Sequence, residues 1–142
     1  MSRLKKIIVP SIKKATSTSI WLLKLILPIS LVFRLLDYSG VLIYVAEVLN
    51  PIFIHLGLPG NTAIIFISSI FLPLYAPLAI ITSMTLTLRE LTILALMCQL
   101  AHNLPVESAI QAKTGTSFWA MFSIRIITSV LVGFALNLIL PH

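Results

Sequence analysis

Polar residues that can hydrogen-bond a ligand are gathered in two short stretches of an otherwise apolar sequence. Carboxamide, hydroxyl, imidazole and carboxylate groups are the donors and acceptors that recognise small polar molecules. We therefore expect these side chains to form a binding site for a small polar solute. They are Asn61, Thr62, Gln99, His102, Asn103, Glu107 and Ser108.

The two stretches resemble one another. Residues 58–64 read Leu-Pro-Gly-Asn-Thr-Ala-Ile, and residues 104–110 read Leu-Pro-Val-Glu-Ser-Ala-Ile. In each copy a Leu-Pro pair ends an apolar segment, and Asn61 or Glu107 follows as a predicted helix N-cap. Half-helices that begin inside a membrane present free N–H groups and a positive dipole end, and transporters bind solutes there. The alternative is that both residues only cap helices near the surface.

Charged residues inside apolar segments give a second set of candidates. In a membrane such residues usually have a partner and a functional role. Glu47 is expected either to face the bundle and pair with Arg125 or Lys24, or to lie near the membrane interface. Glu107 is the second candidate partner of Arg125.

Proton coupling or metal binding by His55 and His102 is a weaker hypothesis. We expect no metal site and no cofactor, and H⁺ or Na⁺ are the candidate coupling ions.

Sequence motifs of common enzymes are absent. The chain contains neither His-Glu-x-x-His nor Gly-x-Ser-x-Gly, and no glycine-rich loop precedes the Lys113-Thr114-Gly115 stretch. Its single cysteine, Cys98, cannot form an internal disulfide. The sequence therefore predicts a protein that is not an enzyme.

The composition determines the class of protein. Of 142 residues, 58% are hydrophobic and 10% charged, with a mean hydropathy of +1.07. A soluble domain has about 25% charged residues. Long apolar runs such as 20–36 and 130–140 favour helices over the alternating segments, about ten residues each, of a membrane β-barrel. We predict an all-α polytopic integral membrane protein.

Helix-breaking residues divide the chain into predicted elements. Residues 1–16 form a basic amphipathic N-terminal segment, and residues 17–142 form a single membrane domain. We expect about four to five membrane helices with a re-entrant hairpin and a broken helix. Whether residues 62–88 form one kinked span or two pieces stays open. The predicted helices cover 17–38, 41–56, 62–72, 74–88, 91–103, 106–113 and 117–140.

The distribution of charge predicts the location. The formal net charge is +6, and half of the ten basic residues lie in the first 14 positions, namely Arg3, Lys5, Lys6, Lys13 and Lys14. Beside a membrane span, such a cluster favours contact with anionic lipid over nucleic acid. We predict a multi-pass protein of the cell inner (cytoplasmic) membrane, with a cytoplasmic N-terminus and no nucleic-acid partner.

Residues 57–64 and 102–110, with Gly115 and Arg125, resemble the nucleoside-recognition or "gate" domain family. This family includes concentrative nucleoside transporters, the membrane domain of ferrous-iron transport protein B, and spore maturation proteins A and B. The resemblance covers roughly residues 40–140. In the nucleoside transporters, similar hairpin tips and broken helices contact base and ribose. The resemblance therefore implies such contacts for Asn61, Thr62, Asn103 and Glu107.

Two functions are consistent with these features. The first is a membrane transporter, or a transporter subunit, that recognises a nucleoside-like solute or an ion at half-helix N-termini. The second is a non-transporting membrane scaffold or regulatory subunit that pairs with a related gate-domain protein. Because one such unit cannot enclose a site, we expect a homo-oligomer or a related partner.

Overall fold

The structure of the protein, a computed structural model, describes residues 2–72 and 75–141. All α-helices and the single 3₁₀ turn in these residues follow one another without an intervening strand, which confirms the all-α prediction. The 3₁₀ turn is Gly60–Thr62. The helices are α1 (Ser2–Tyr38), α2 (Val41–His55), α3 (Ala63–Phe71), α4 (Tyr75–Ile81), α5 (Leu88–Ala101), α6 (Leu104–Ala112) and α7 (Phe118–Ile139).

Three segments of the described chain are long and apolar enough to cross a membrane. They are Ile8–Tyr38, Leu88–Ala112 and Phe118–Ile139. Helix α2 has 15 residues, about 22 Å, which is shorter than a hydrocarbon core of about 30 Å. Helix α3 with its preceding turn is shorter still. The four to five predicted membrane helices thus correspond to three full-length segments and to the short helices α2 and α3.

Helix α1 continues without a break across the predicted boundary between residues 16 and 17. It has 37 residues and contains Pro10 and Pro28. A new helix was predicted to begin at residue 17, but the serine and threonine residues at 17–19 lie inside α1. Local capping preference is overridden here because the residues on both sides are good helix formers.

The region that the sequence left undecided consists of two pieces. Helix α3 ends at Phe71, and α4 begins at Tyr75. Leu72 is already extended, with φ −108° and ψ 158°, as expected of a residue that precedes a proline. The break predicted at Pro73 lies outside the described residues.

Helix α5 contributes several side chains to the packed core. Its side chains Ile93, Leu94 and Met97 are fully buried. Helix α7 runs antiparallel to it, because Ser129 contacts the Met97 carbonyl while Asn137 lies beside Arg89. Helix α3 and its turn lie on another side of α5, and Phe66 packs against Phe53 of α2 with ring centroids 5.6 Å apart.

Contacts at the two ends of α7 define the two ends of the bundle. At one end, Arg89 donates hydrogen bonds to the carbonyl oxygens of Gly57, Asn137 and Leu140. At the other end, the Lys113 ammonium lies 3.8 Å from the centroid of the Trp21 ring. The turn between α2 and α3 therefore lies at the Arg89 end, and the loop between α6 and α7 lies at the Lys113 end.

Candidate functional site

The long segment formed by α5 and α6 is interrupted at His102 and Asn103. Asn103 adopts the left-handed conformation, with φ 48° and ψ 35°. Asparagine tolerates this region better than most residues, and Pro105 then suits the first turn of the new helix. The Asn103 N–H donates to the Ser69 carbonyl at 2.8 Å, so α3 helps to hold the interruption.

Side chains satisfy the carbonyl groups that α5 leaves free at this interruption. Arg125 Nε donates to the Leu100 carbonyl at 2.9 Å, and His102 Nδ1 lies 2.6 Å from the Gln99 carbonyl oxygen. The last carbonyls of a helix lack partners within it, and lipid supplies none. These two side chains therefore complete the end of α5.

Glu107 joins these two side chains into one polar cluster. Its Oε2 accepts a hydrogen bond from Arg125 Nη1, and its Oε1 lies 3.1 Å from His102 Nε2. The three side chains are between 18% and 32% exposed. The residues come from α6, α7 and the interruption, and the cluster ties these elements together.

Glu107 is therefore not the N-cap that the sequence predicted. Asn103 occupies that position and makes no side-chain capping bond, while Glu107 lies in the first turn with its N–H bonded to the Asn103 carbonyl. Of the two partners considered for Arg125, the structure places Glu107 beside it and leaves Glu47 elsewhere. Ser108 is fully buried on α6, and its hydroxyl has no hydrogen-bond partner in the described chain.

A separate polar recess lies between α2 and the turn that precedes α3. Its volume is about 360 Å³, and its polar lining consists of Glu47, Asn50 and Asn61, with Gly60 at its floor. All three side chains are exposed. None of them takes part in a hydrogen bond or ion pair within the described residues. We call this site the α2 recess.

The close approach of α2 to the turn depends on Gly60. A Cβ atom at this position would overlap the Asn50 carboxamide. Glycine therefore lets the turn lie directly against Asn50 and brings Asn61 to the edge of the recess. Asn61 was expected to cap α3. The turn makes no side-chain capping bond, and the Asn61 side chain is exposed.

Thr62 is not open to a solute. It is fully buried, and its hydroxyl donates to the Pro59 carbonyl at 2.7 Å. This bond stabilises the turn in the same way that a backbone bond does. Thr62 therefore stabilises the turn that borders the α2 recess.

The structure does not bring the two predicted stretches together. Asn61 precedes the first residue of α3, whereas Asn103 is bonded to Ser69 near the other end of this helix. Eight residues of helix separate these levels by about 12 Å. Moreover, the turn at Pro59 lies at the Arg89 end of the bundle, so only the interruption at Asn103 occurs within a full-length segment.

Two of the predicted residues line smaller cavities. Asn103 faces a cavity of about 190 Å³ that also contains Arg34. Gln99 is exposed on α5 and lines a cavity of about 140 Å³ with Pro77 and Leu78 of α4. No group of three metal-binding side chains comes together in the part of the chain that the structure describes.

Sequence reasoning missed Asn50 and the pair formed by Arg89 and Asn137. The sequence analysis did not select Asn50, although a carboxamide in an apolar helix is itself a signal. Arg89 was not selected either, but its guanidinium donates to the Asn137 carbonyl at 2.9 Å and holds two helix ends together. Such a long-range contact cannot be recognised without the packing of α5 on α7.

Comparison with known proteins gives one informative similarity. The chain is 32% identical over 136 residues to the uncharacterized membrane protein YvoD of Bacillus subtilis (strain 168), an alignment that covers 96% of this chain and 44% of the relative. The chain thus spans less than half the length of the curated relative that it matches. No model of a protein family matches the chain. No solved structure matches it.

Proposed function

We propose that the protein is a transporter subunit that binds a small polar solute in the α2 recess. This recess holds three polar side chains that have no partner within the described residues. The observation that carries the proposal is the combination of Glu47, Asn50 and Asn61 around one cavity on an otherwise apolar helix face. These exposed groups have no partner within the described residues, so their donors and acceptors are available to a ligand. A bound solute would satisfy them.

The α2 recess is a better candidate than the interruption between α5 and α6. At the interruption, the polar side chains already bond the carbonyls of α5 or one another. In the recess, a carboxylate and two carboxamides remain free to accept and donate. We therefore assign solute binding to Glu47, Asn50 and Asn61, and we assign a structural role to Thr62.

The chemistry of the recess suits a solute with several hydroxyl or amine groups. Two carboxamides can each form a paired donor–acceptor contact with a base edge or a ribose, and a carboxylate accepts from hydroxyl and amine donors. The resemblance of residues 57–64 to nucleoside-recognition domains supports a nucleoside-like solute. An inorganic cation is the competing ligand class, with Glu47 as its charged ligand.

The α2 recess also supports a proposal about partners. It is open on one side, and the chain corresponds to 44% of a longer membrane relative. We propose that a second copy of this chain, or a related subunit, completes the wall of the recess and leaves its mouth at the membrane surface open to water.

A non-transporting scaffold is the second candidate function, because the same exposed side chains could instead bond a partner's backbone or polar side chains. In that case the three polar residues form a protein interface and bind no solute. A partner that copurifies with the protein, and is lost when Glu47 is replaced, would favour this function.

Thermal-shift screening of the purified protein tests the proposed function. The panel contains nucleosides, inorganic cations and other small polar solutes. We expect one class to raise the melting temperature in a saturable way. Asn61→Ala should weaken this ligand by about tenfold, which corresponds to a lost hydrogen bond of about 1.4 kcal/mol.

Thr82→Ala is the matched control. Thr82 is exposed and does not line the α2 recess, and its hydroxyl bonds only the Ala79 carbonyl of its own turn. This variant should bind like the unmodified protein. If the ligand raised the melting temperature of Asn61→Ala and Glu47→Gln as much as that of the unmodified protein, the assignment of the recess would be contradicted.

A further inference from the structure

We propose that a recess on α1, at the Lys113 end of the bundle, binds the phosphate headgroup of an anionic membrane lipid. The volume of this recess is about 610 Å³, and we call it the α1 recess. The residues that line it are Lys13, Thr16, Ser17, Ile20, Trp21 and Lys24. The proposal is independent of solute binding in the α2 recess, which lies between α2 and the turn before α3.

The two lysines of the α1 recess can reach the same point on one face of α1. Lys13 lies one turn before Ser17, and Lys24 lies two turns after it. Side chains of a helix are tilted toward its N-terminus, so the stem of Lys24 leans back toward Ser17. Because the four-carbon stem of lysine is flexible, both ammonium groups can contact a phosphate placed beside Ser17.

The charged groups around the α1 recess are all positive. Neither Lys13 nor Lys24 forms an ion pair within the described residues. None of the four acidic residues of the chain lines the recess. A third cation stands beside it, because the Lys113 ammonium lies 3.8 Å from the centroid of the Trp21 ring. This arrangement attracts an anion and repels a cation.

The polar groups of the α1 recess supply the donors that a phosphate needs. Phosphate oxygens accept hydrogen bonds, the ammonium groups of Lys13 and Lys24 only donate, and the Ser17 hydroxyl can donate as well. The Thr16 hydroxyl already donates to the Ile12 carbonyl at 2.9 Å. The lysines and Ser17 therefore form the binding groups, and Thr16 contributes to the wall.

An apolar stripe on the same face of α1 favours a lipid over a free phosphate. Ile20, Leu27 and Leu31 are separated by about two turns and one turn, so they lie on one side of the helix. All three side chains are exposed. An acyl chain can lie along this stripe while its headgroup contacts the lysines. A soluble anion or a nucleic acid has no apolar part to cover the stripe.

Trp21 lies at the depth that the proposal requires. Tryptophan side chains prefer the membrane–water interface, where lipid phosphates also lie. Lys24 is one turn further along α1, and its ammonium can extend back to the same level. The α1 recess therefore combines cations at headgroup level with an apolar surface that continues toward the hydrocarbon.

Lys14 provides a matched control for this site. It carries the same charge as Lys13, follows it directly in the sequence and is also exposed. However, Lys14 does not line the α1 recess. General attraction to an anionic bilayer would depend equally on the two lysines, whereas a headgroup bound in the recess depends on Lys13.

The first experiment measures the melting temperature of the full chain in an uncharged detergent during titration with phosphatidylglycerol. We expect a saturable rise that phosphatidylcholine does not produce. Lys13→Gln and Lys24→Gln should each weaken the apparent affinity by about fivefold, and Lys14→Gln should change it by less than about twofold. Equal losses for Lys13→Gln and Lys14→Gln, or an equal rise with phosphatidylcholine, would overturn the proposal.

The second experiment uses native mass spectrometry of the unmodified protein and distinguishes a lipid from a free phosphate. We expect a single phosphatidylglycerol molecule to stay bound to each chain. Soluble glycerol phosphate carries the phosphate without acyl chains, and it should not displace this lipid at the same concentration. Displacement by glycerol phosphate, or a broad distribution of bound lipids without a preferred number, would overturn the proposal.

Discussion

At the scale of single residues, the structure separates polar side chains that complete the fold from those that remain free. Arg125, His102 and Glu107 satisfy the end of α5 and one another. Glu47, Asn50 and Asn61 have no partner in the described chain. The contacts in the structure therefore separate two groups of polar residues. Of these two groups, only Glu47, Asn50 and Asn61 are available for a ligand.

Arg125→Ala should be the most destabilising substitution in the polar cluster. It leaves the Glu107 carboxylate without its cation and the Leu100 carbonyl without its donor, a loss of about 1.5–3 kcal/mol for a partly exposed, hydrogen-bonded charge pair. Glu107→Gln should lose less, because a carboxamide still accepts from Arg125. Thermal unfolding in detergent measures both effects. Equal melting temperatures for Arg125→Ala and the exposed variant Arg34→Ala would show that the pair contributes nothing.

At the scale of elements, much of the fold follows from the sequence. The apolar runs predict the helices, and Asn103 with Pro105 predicts the end of α5, since asparagine tolerates the left-handed conformation and proline cannot continue a helix. The continuity of α1 was missed because Ser17 is as acceptable inside a helix as at its start. The pairing of Arg125 with Glu107 rather than Glu47 depends on which helices are neighbours, and the local sequence does not contain this information.

The packing of α7 on α5 depends on a small residue. A Cβ atom at Gly133 would lie 2.6 Å from Met97 Sδ and 3.3 Å from Leu56 Cδ2, and Ser129 bonds the Met97 carbonyl one turn away. Membrane helices commonly use such small residues for close approach. Gly133→Val should destabilise the protein by about 1–3 kcal/mol through overpacking.

Ala135→Val is the control for this prediction. Ala135 lies on the exposed face of the same helix, two residues away. A change from a small side chain to valine there meets no neighbour in the core. Comparable losses of melting temperature for the two variants would mean that α7 does not pack on α5 through Gly133.

The turn at the Arg89 end has a conformational requirement of its own. Gly57 has φ +71°, and a Cβ there would collide with the Asn137 carboxamide. Gly40 has a similar φ of +77° with nothing within 4 Å. Both alanine variants should lose about 1 kcal/mol from the left-handed backbone. Gly57→Ala should lose measurably more in thermal unfolding because it also displaces Asn137. Equal losses would contradict the close contact.

At the scale of the whole molecule, the distribution of charge relates the recess to the membrane. Trp21 and Lys113 belong to one end of the bundle, and Gly57 and Arg89 belong to the other. The basic N-terminal residues precede Trp21 along α1. Helix α7 has 22 residues, about 33 Å, and is sufficient to separate two membrane surfaces. With the basic end in the cytoplasm, as the positive-inside rule favours, the α2 recess opens toward the opposite surface.

The sequence alone did not show whether the two polar stretches lie close together in the fold. The repeated Leu-Pro motif suggested that both stretches form a single site, but Asn61 and Asn103 belong to different levels of α3. Similarity of sequence gave similar local breaks, and the packing of α3 beside α5 placed them apart. Spatial proximity between repeats is a property of tertiary structure, and two matching motifs alone do not establish it.

Cysteine accessibility in intact cells tests the central claim, that the α2 recess opens to water on the surface opposite the basic end. In a Cys98→Ala background, single cysteines are introduced as Asn61→Cys, Asn103→Cys and Thr116→Cys, and a membrane-impermeant maleimide is added outside. We expect labelling at position 61 from outside, labelling at position 116 only after permeabilisation, and slow labelling at position 103. Position 61 that stays unlabelled on both sides, or that labels from the same side as position 116, would contradict the account.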